Sequence, residues 1–319
     1  MEKSIGVSVL IITYNQKEYI SDAIKGALSQ KTNFDFEVII HDDASTDGTT
    51  EIVKQFEKEY PDQIVAYYEE INMFPQWHLY IEKILSKARG KYLALCDGDD
   101  YWCDSNKLQL QYDFLEKNQE FSLCVHNTKI INLLTKEEYL FGIEETKELS
   151  RNEVVLKAGS IFHSSSHFFR LESWYVKHGG RDFLDMERVL WLCNEGRVMY
   201  FSDVMSVYRL NTKGSWTESL KGDYSLILDF MTRLIYFEKF DKETGGRWKK
   251  ELKDAENWIL ECVYVLLRKK YCAFTLKRKI VRWLEMTIDL FCGKKYVTKK
   301  VGKIINEKNN KESDIKRNV

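Results

Sequence analysis

The spacing of apolar residues along the first hundred positions switches repeatedly between two periods, and each switch marks the edge of an element. Val7–Thr13 is a β-branched run suited to a buried strand, and Lys17–Gln30 then sets Tyr19, Ile20, Ala23, Ile24, Ala27 and Leu28 at helical spacing. Phe36–His41 repeats the strand pattern, and Gly48–Tyr60 repeats the helix with Ile52, Val53, Phe56 and Tyr60 on one face. Ile64–Tyr68 predicts a third strand, Trp77–Lys87 a third helix and Tyr92–Cys96 a fourth strand. Strands alternating with helices over short connections predict an α/β fold. Its sheet should be mostly parallel and Rossmann-like, flanked by helices, with ligands gathered where the strands end.

Further along, Lys107–Lys117 reads as a helix and Ser122–Ile131 as a strand, followed by a charged connection over Glu137–Arg151. Ser160–Arg170 returns to a strand pattern, Asp185–Glu195 is helical, and Val198–Arg209 reads as two short strands around Asp203. Beyond Tyr224 the chain changes character, with helical stripes over 223–240, 247–271 and 273–292 that carry basic faces. The expected organisation is an α/β domain over 1–216, in halves of 1–130 and 131–216, then a helical C-terminal appendage over 217–299. Residues 300–319 form a basic tail expected to be disordered.

With 319 residues, 44% hydrophobic and 30% charged, the chain can bury a large core and lies far from disordered composition. Its seven cysteines show no Cys-x-x-Cys spacing, which argues against a disulfide framework or a structural zinc site and fits a reducing compartment. No signal-peptide core and no run of ~18 uncharged apolar residues is evident, so a cytoplasmic location is expected. The net charge of −1 conceals an asymmetry: residues 268–319 hold 16 Lys and Arg against 5 Asp and Glu. Those basic helices fit either packing on their own protein or peripheral contact with the inner, anionic face of a membrane. No nucleic-acid recognition motif accompanies them.

Chemistry concentrates in two acidic turns. Asp97, Asp99 and Asp100 crowd the end of the Tyr92–Cys96 run, and like charges this close are costly unless a cation sits on them. A solvated acidic turn is the competing reading. The second turn, His41-Asp-Asp-Ala-Ser-Thr-Asp-Gly, begins like a calcium loop but places Lys54 where the bidentate Glu belongs. Ser45, Thr46 or Asp47 there suits a helix cap better. The loop Thr13-Tyr-Asn-Gln has neither GxGxxG nor GxxxxGK[ST], which excludes dinucleotide and P-loop sites. Tyr14 could instead stack on a base, Asp43 could accept a ring N–H such as uracil offers, and Asn15 could shape the loop; for Tyr14 an ordinary strand-end aromatic is the alternative. His78, His126, His163 and His167 show no metal spacing, and Cys96 and Cys103 read as packing residues.

Taken together, Val7-Ser-Val-Leu-Ile-Ile-Thr-Tyr-Asn, His41-Asp-Asp-Ala-Ser-Thr-Asp-Gly-Thr, Asn72, Ala88-Arg-Gly-Lys-Tyr and Asp97-Gly-Asp-Asp-Tyr-Trp with Lys107-Leu resemble the family 2 glycosyltransferases of GT-A fold. The likeness spans residues 5–130 closely and 160–216 loosely. It implies a nucleotide-diphospho-sugar donor, with UDP favoured, and 1–130 as the nucleotide-binding half, 131–216 as the acceptor half. Thr13, Tyr14, Asn15 and Asp43 would hold the nucleotide, Asp97 the ribose and sugar side, and Asp99 with Asp100 a Mn²⁺ or Mg²⁺ ion. It also implies inversion by single displacement, with a carboxylate base on the acceptor, a hydroxyl of a growing glycan or lipid-linked saccharide in cell-surface polysaccharide synthesis. Asp182, Asp185 and Glu187 are the candidates, and Asp185, eleven residues before Gly196, has the expected spacing. Arg209 would meet a phosphate or form a structural bridge, and Trp102 and Trp216 would stack on sugar or pack. Asn211 stands where such relatives often have His. The rival classes are a sugar-nucleotide pyrophosphorylase, which would want a Gly-rich first loop, and a non-catalytic sugar-nucleotide-binding module, which would lack these carboxylates.

Overall fold

A computed structural model describes residues 5–73, 81, 83–157, 161–172, 185–215 and 223–270. The chain divides into two compact units, residues 1–215 and 216–319.

The first unit opens with β1 (Ile5–Thr13), α1 (Ile20–Leu28), β2 (Asp35–Asp42), α2 (Thr49–Glu59), β3 (Ile64–Tyr68), β4 (Tyr92–Asp97) and β5 (Tyr101–Trp102). It continues with α3 (Lys107–Lys117), β6 (Phe121–Asn132), β7 (Glu138–Leu140), β8 (Lys147–Leu149) and α4 (Arg151–Lys157). After a short 3-10 turn at Ser164–Ser166 come β9 (Phe168–Arg170), α5 (Asp185–Glu195) and β10 (Arg197–Leu210). One sheet joins the strands in the order β3-β2-β1-β4-β9-β6-β10-β5, with β7 on β6 and β8 on β10. β3, β2, β1 and β4 are mutually parallel, β9 runs antiparallel between β4 and β6, and β6 and β10 are parallel again.

Burial explains why these segments form these elements. Val7, Val9 and Ile11 of β1 and Val38 and Ile40 of β2 form one core with Ile20, Ala23, Ile24 and Ala27 of α1, all fully buried. α1 closes on β5 because residue 26 is glycine: a Cβ there would lie 2.8 Å from the Trp102 carbonyl oxygen. α2 begins at Gly48, whose φ of 104° is a left-handed conformation. Asp47 supplies the cap, accepting from the Thr49 amide at 3.0 Å and the Thr49 hydroxyl at 2.6 Å.

Three stretches depart from expectation. Val198–Arg209 lies within one strand, β10, whose register shifts between Phe201 and Val204 let Asp203 face solvent without ending the pairing. Of the stretch expected as strand over Ser160–Arg170, the described part before Phe168 is mostly a turn, because Ser166 Oγ donates back to the His163 carbonyl at 2.6 Å, and only Phe168–Arg170 pairs as strand. The charged connection contains two short edge strands, β7 and β8. The helix expected over Trp77–Lys87 lies largely outside the described residues, and that over 273–292 entirely so.

The second unit contains α6 (Asp223–Glu243) and α7 (Lys249–Lys270), with Phe237, Phe240 and Trp248 buried among its apolar side chains. Among the described residues no helix is long and apolar enough to cross a membrane.

Candidate active site

Parallel pairing sets Thr13 opposite Asp42 and Ile12 opposite Asp97, so the loops after β1, β2 and β4 open side by side at one end of the sheet. Tyr14 leaves β1 with its ring 44% exposed, free to meet a planar ligand. Thr13 is buried and its hydroxyl donates to Gln16 Oε1 at 2.8 Å. Asn15 adopts a φ of 53° and ties the β1 loop to the β2 loop. Its amide donates to Ser45 Oγ at 2.9 Å and its side-chain oxygen accepts from the Thr46 amide at 2.8 Å. Asp43 is buried, and its Oδ1 accepts from the Met73 amide at 2.6 Å.

The acidic turn is pinned at both ends. Its Gly98 amide donates to the Ile12 carbonyl at 2.9 Å, and a Cβ at 98 would fall 2.4 Å from Gln16 Oε1. Past the turn, Tyr101 and Trp102 pair with Val207 and Ser206 of β10. Asp97 Oδ2 accepts from the Ser164 hydroxyl at 2.6 Å, and Asp99 Oδ2 accepts from the Thr212 hydroxyl at 2.6 Å. Asp100 is fully buried: Oδ1 accepts from the Arg209 amide at 3.0 Å, while Oδ2 has no hydrogen-bond partner among the described residues.

Electrostatics follow from this crowding. Burial, then the charge of Asp185, raises the Asp97 carboxyl above its ordinary range. Burial and Asp97 push Asp99 up to about 6, and burial with both neighbours lifts Asp100 well above the carboxylate range. A cation at this turn would reverse that penalty by favouring the ionised forms. Donor atoms of Asp97, Asp100 and His163 lie within 4.8 Å of one another, which suits an oxygen- and nitrogen-bound metal ion. The set includes Asp97 in place of Asp99, whose carboxylate turns to Thr212. His163 stacks on Tyr208 at 4.1 Å, and burial lowers its pKa, favouring the neutral imidazole.

Asp185 stands at the head of α5 with its side chain 66% exposed, held through Oδ1 by the buried Arg188. Its charge acts on both Asp97 and His163, so it lies near the same cluster. Arg188 in turn bonds His167 Nδ1 at 3.0 Å. Arg209 forms the structural bridge of its two readings. Its guanidinium donates to the Asp99 carbonyl at 2.9 Å and to Asp22, between the rings of Tyr19 and Tyr101.

Trp102 is packed, the second of its two readings. The ring is 3% exposed, its Nε1 donates to the Ser165 carbonyl at 2.9 Å, and Lys107 Nζ covers its face at 4.1 Å. Trp216 and Asp182 lie outside the described residues. Sequence reasoning missed His163, Ser164 and Thr212 as contacts of the acidic turn. A signal existed in Phe162-His-Ser-Ser-Ser-His, a polar run between apolar flanks that a buried strand would not tolerate.

A parallel β3-β2-β1-β4 sheet, extended by β9, β6 and β10 and carrying an acidic turn at the carboxyl end of β4, defines the GT-A fold of nucleotide-sugar transferases. The chain belongs to glycosyl transferase family 2, whose model matches residues 8–173. An uncharacterized protein of Mycobacterium tuberculosis is 32% identical over 213 residues, covering 66% of this chain and 60% of the relative's own length. Staphylococcus aureus TarS 1-349, solved with UDP-GlcNAc, matches with a TM-score of 0.56 at 16% identity over 89% of this chain and 81% of that one. The mannosyltransferase PcManGT of Pyrobaculum calidifontis, solved with GDP-Man and Mn²⁺, matches with a TM-score of 0.56 at 17% identity over 94% and 84%.

Proposed function

We propose that this protein is an inverting, metal-dependent glycosyltransferase that moves a sugar from a nucleotide-diphospho-sugar to a hydroxyl of a growing glycan or lipid-linked saccharide. The observation that carries this reading is the gathering of Asp97, Asp100 and His163 around an Asp100 oxygen that has no hydrogen-bond partner among the described residues, with the charge of Asp185 close by. In this reading Tyr14 stacks on the base, Asp43 accepts a ring N–H, and Thr13 and Asn15 shape that pocket. UDP is the favoured nucleotide, in keeping with the UDP-GlcNAc held by TarS, and GDP, as in PcManGT, is its competitor.

Asp97 and Asp100 would hold Mn²⁺ or Mg²⁺, with Asp99 at the edge of the site. When bound, the ion neutralises charge developing on the leaving diphosphate. Asp185 takes the proton from the acceptor hydroxyl as its oxygen attacks the anomeric carbon opposite the leaving group. Arg188 donates to Asp185 Oδ1 and so restrains the carboxylate. Cell-surface polysaccharide assembly on the cytoplasmic side of a membrane is the setting this acceptor class suggests. The basic residues beyond 268 would supply peripheral contact, which flotation with anionic liposomes at low salt tests.

The test of the reaction is a panel of UDP- and GDP-sugars with Mn²⁺, read as nucleotide diphosphate release. Release should require both metal and acceptor and should stop on chelation. A chelator-stripped enzyme that turns over equally well would refute the proposal.

A further inference from the structure

The acidic turn supplies oxygen donors, yet one member of the gathered group is an imidazole from a segment more than sixty residues away. His163 Nδ1 lies 3.4 Å from Asp100 Oδ2, the buried oxygen that has no hydrogen-bond partner among the described residues. Its other polar neighbours are Ser165 Oγ at 3.1 Å, Ser164 Oγ at 3.3 Å and the Ser165 amide at 3.3 Å. The Ser165 amide donates to Nδ1 as the cap of the turn and the serine hydroxyls lie beside it, so an ion at Nδ1 would take the place of these bonds. The ring itself is oriented: it stacks on Tyr208 with planes 21° apart and meets the edge of Phe141. The same turn sends Ser164 to Asp97, so one segment supplies a donor and steadies another.

We propose that His163 is a direct ligand of the site's cation, giving this chain a mixed nitrogen and oxygen donor set that selects manganese-like transition ions over magnesium. The inference rests on the metal-dependent reading above. Two donors on one such ion sit about 3 Å apart when adjacent and slightly over 4 Å apart when opposite. The present spacing therefore closes on an ion with a small contraction. Selectivity follows from ligand chemistry. Mn²⁺ and Mg²⁺ both favour oxygen, but Mg²⁺ holds oxygen and water in near-ideal octahedra and gains little from nitrogen, so an imidazole helps the manganese ion more.

The experiment is pulsed electron paramagnetic resonance of the full chain with Mn²⁺ and UDP, reading the nitrogen coupling of a directly bound imidazole. Wild type should show ¹⁴N modulation, and protein labelled with ¹⁵N-histidine should show the ¹⁵N pattern in its place. His163→Gln should lose the coupling, bind Mn²⁺ about tenfold more weakly, and change its Mg²⁺ affinity less than about twofold. Mn²⁺ bound without nitrogen coupling would overturn the His163 assignment while leaving the glycosyltransferase proposal standing. Coupling that persists in His163→Gln would overturn it as well. Wild type that binds no Mn²⁺ with or without UDP would overturn both. The labelling arm needs no variant, so a misfolded His163→Gln still leaves a decisive result.

Discussion

Replacing Lys107 by Met should stabilise the catalytic unit, and the gain should shrink as pH rises. Lys107 is fully buried at the start of α3, with Nζ donating to Gln111 Oε1 at 2.7 Å and resting over Trp102. Burial pushes its pKa down from 10.5 to about 7, against a small opposing effect of Cys96 and Cys124. A group whose folded pKa is depressed binds fewer protons in the folded than in the unfolded chain between those two values. Stability is therefore lost as pH falls from the unfolded value toward the folded one. The penalty for keeping this side chain buried is about 4 kcal/mol at pH 7 and about 2 kcal/mol at pH 9. Leaving Gln111 Oε1 unpaired in the variant costs about 1–3 kcal/mol at either pH. The difference between Lys107→Met and wild type should thus move by about 2 kcal/mol in the variant's disfavour between pH 7 and pH 9. Groups common to both proteins cancel in that difference. Urea unfolding followed by circular dichroism, with a separate transition allowed for each unit, measures it. A stability difference that is flat from pH 7 to pH 9 would refute the argument.

Asp185→Asn should reduce transfer by about 10²–10⁴-fold while leaving UDP affinity within about twofold, and near-normal turnover would show that another group takes the proton. Gly98→Ala should destabilise by about 1–3 kcal/mol and weaken nucleotide binding, since the added carbon meets Gln16 and Thr13; a melting curve and a UDP titration check both. Trp102→Ala should cost about 3–5 kcal/mol of stability and leave the acceptor KM of the folded fraction unchanged, because the ring is packed under Lys107. A selective rise in acceptor KM would restore the sugar-stacking role.

The parallel half of the sheet was legible because each strand there is a short apolar run and each helix a one-sided stripe. β1, α1, β2, α2, β3 and β4 all fall within a few residues of where periodicity puts them. The acidic turn was legible too, since three carboxylates at a strand end have few inexpensive explanations. What periodicity could not convey is pairing. β5 is two residues long and exists only because β10 passes beside it. His163 and Ser164 sit in a stretch that looks like a strand, yet local serine hydrogen bonds fold it into a turn. Thr212 reaches Asp99 only through the long excursion of β10, and no spacing rule spans 113 positions. For Trp102 the sequence left stacking and packing open, and its neighbours in space, Ser165 and Lys107, are not its neighbours in sequence.

The anchoring of the acidic turn by Gly98 on one side and β5 on the other has a consequence for the life of the protein in a cell. Carboxylates fixed in this way cannot drift apart when no ion is present, so their mutual repulsion burdens the native state itself. Any ion that binds there favours the folded form over the unfolded one and retards proteolytic clearance. The amount of intact protein would then track the supply of whatever cation the turn takes, independently of whether any sugar is being transferred.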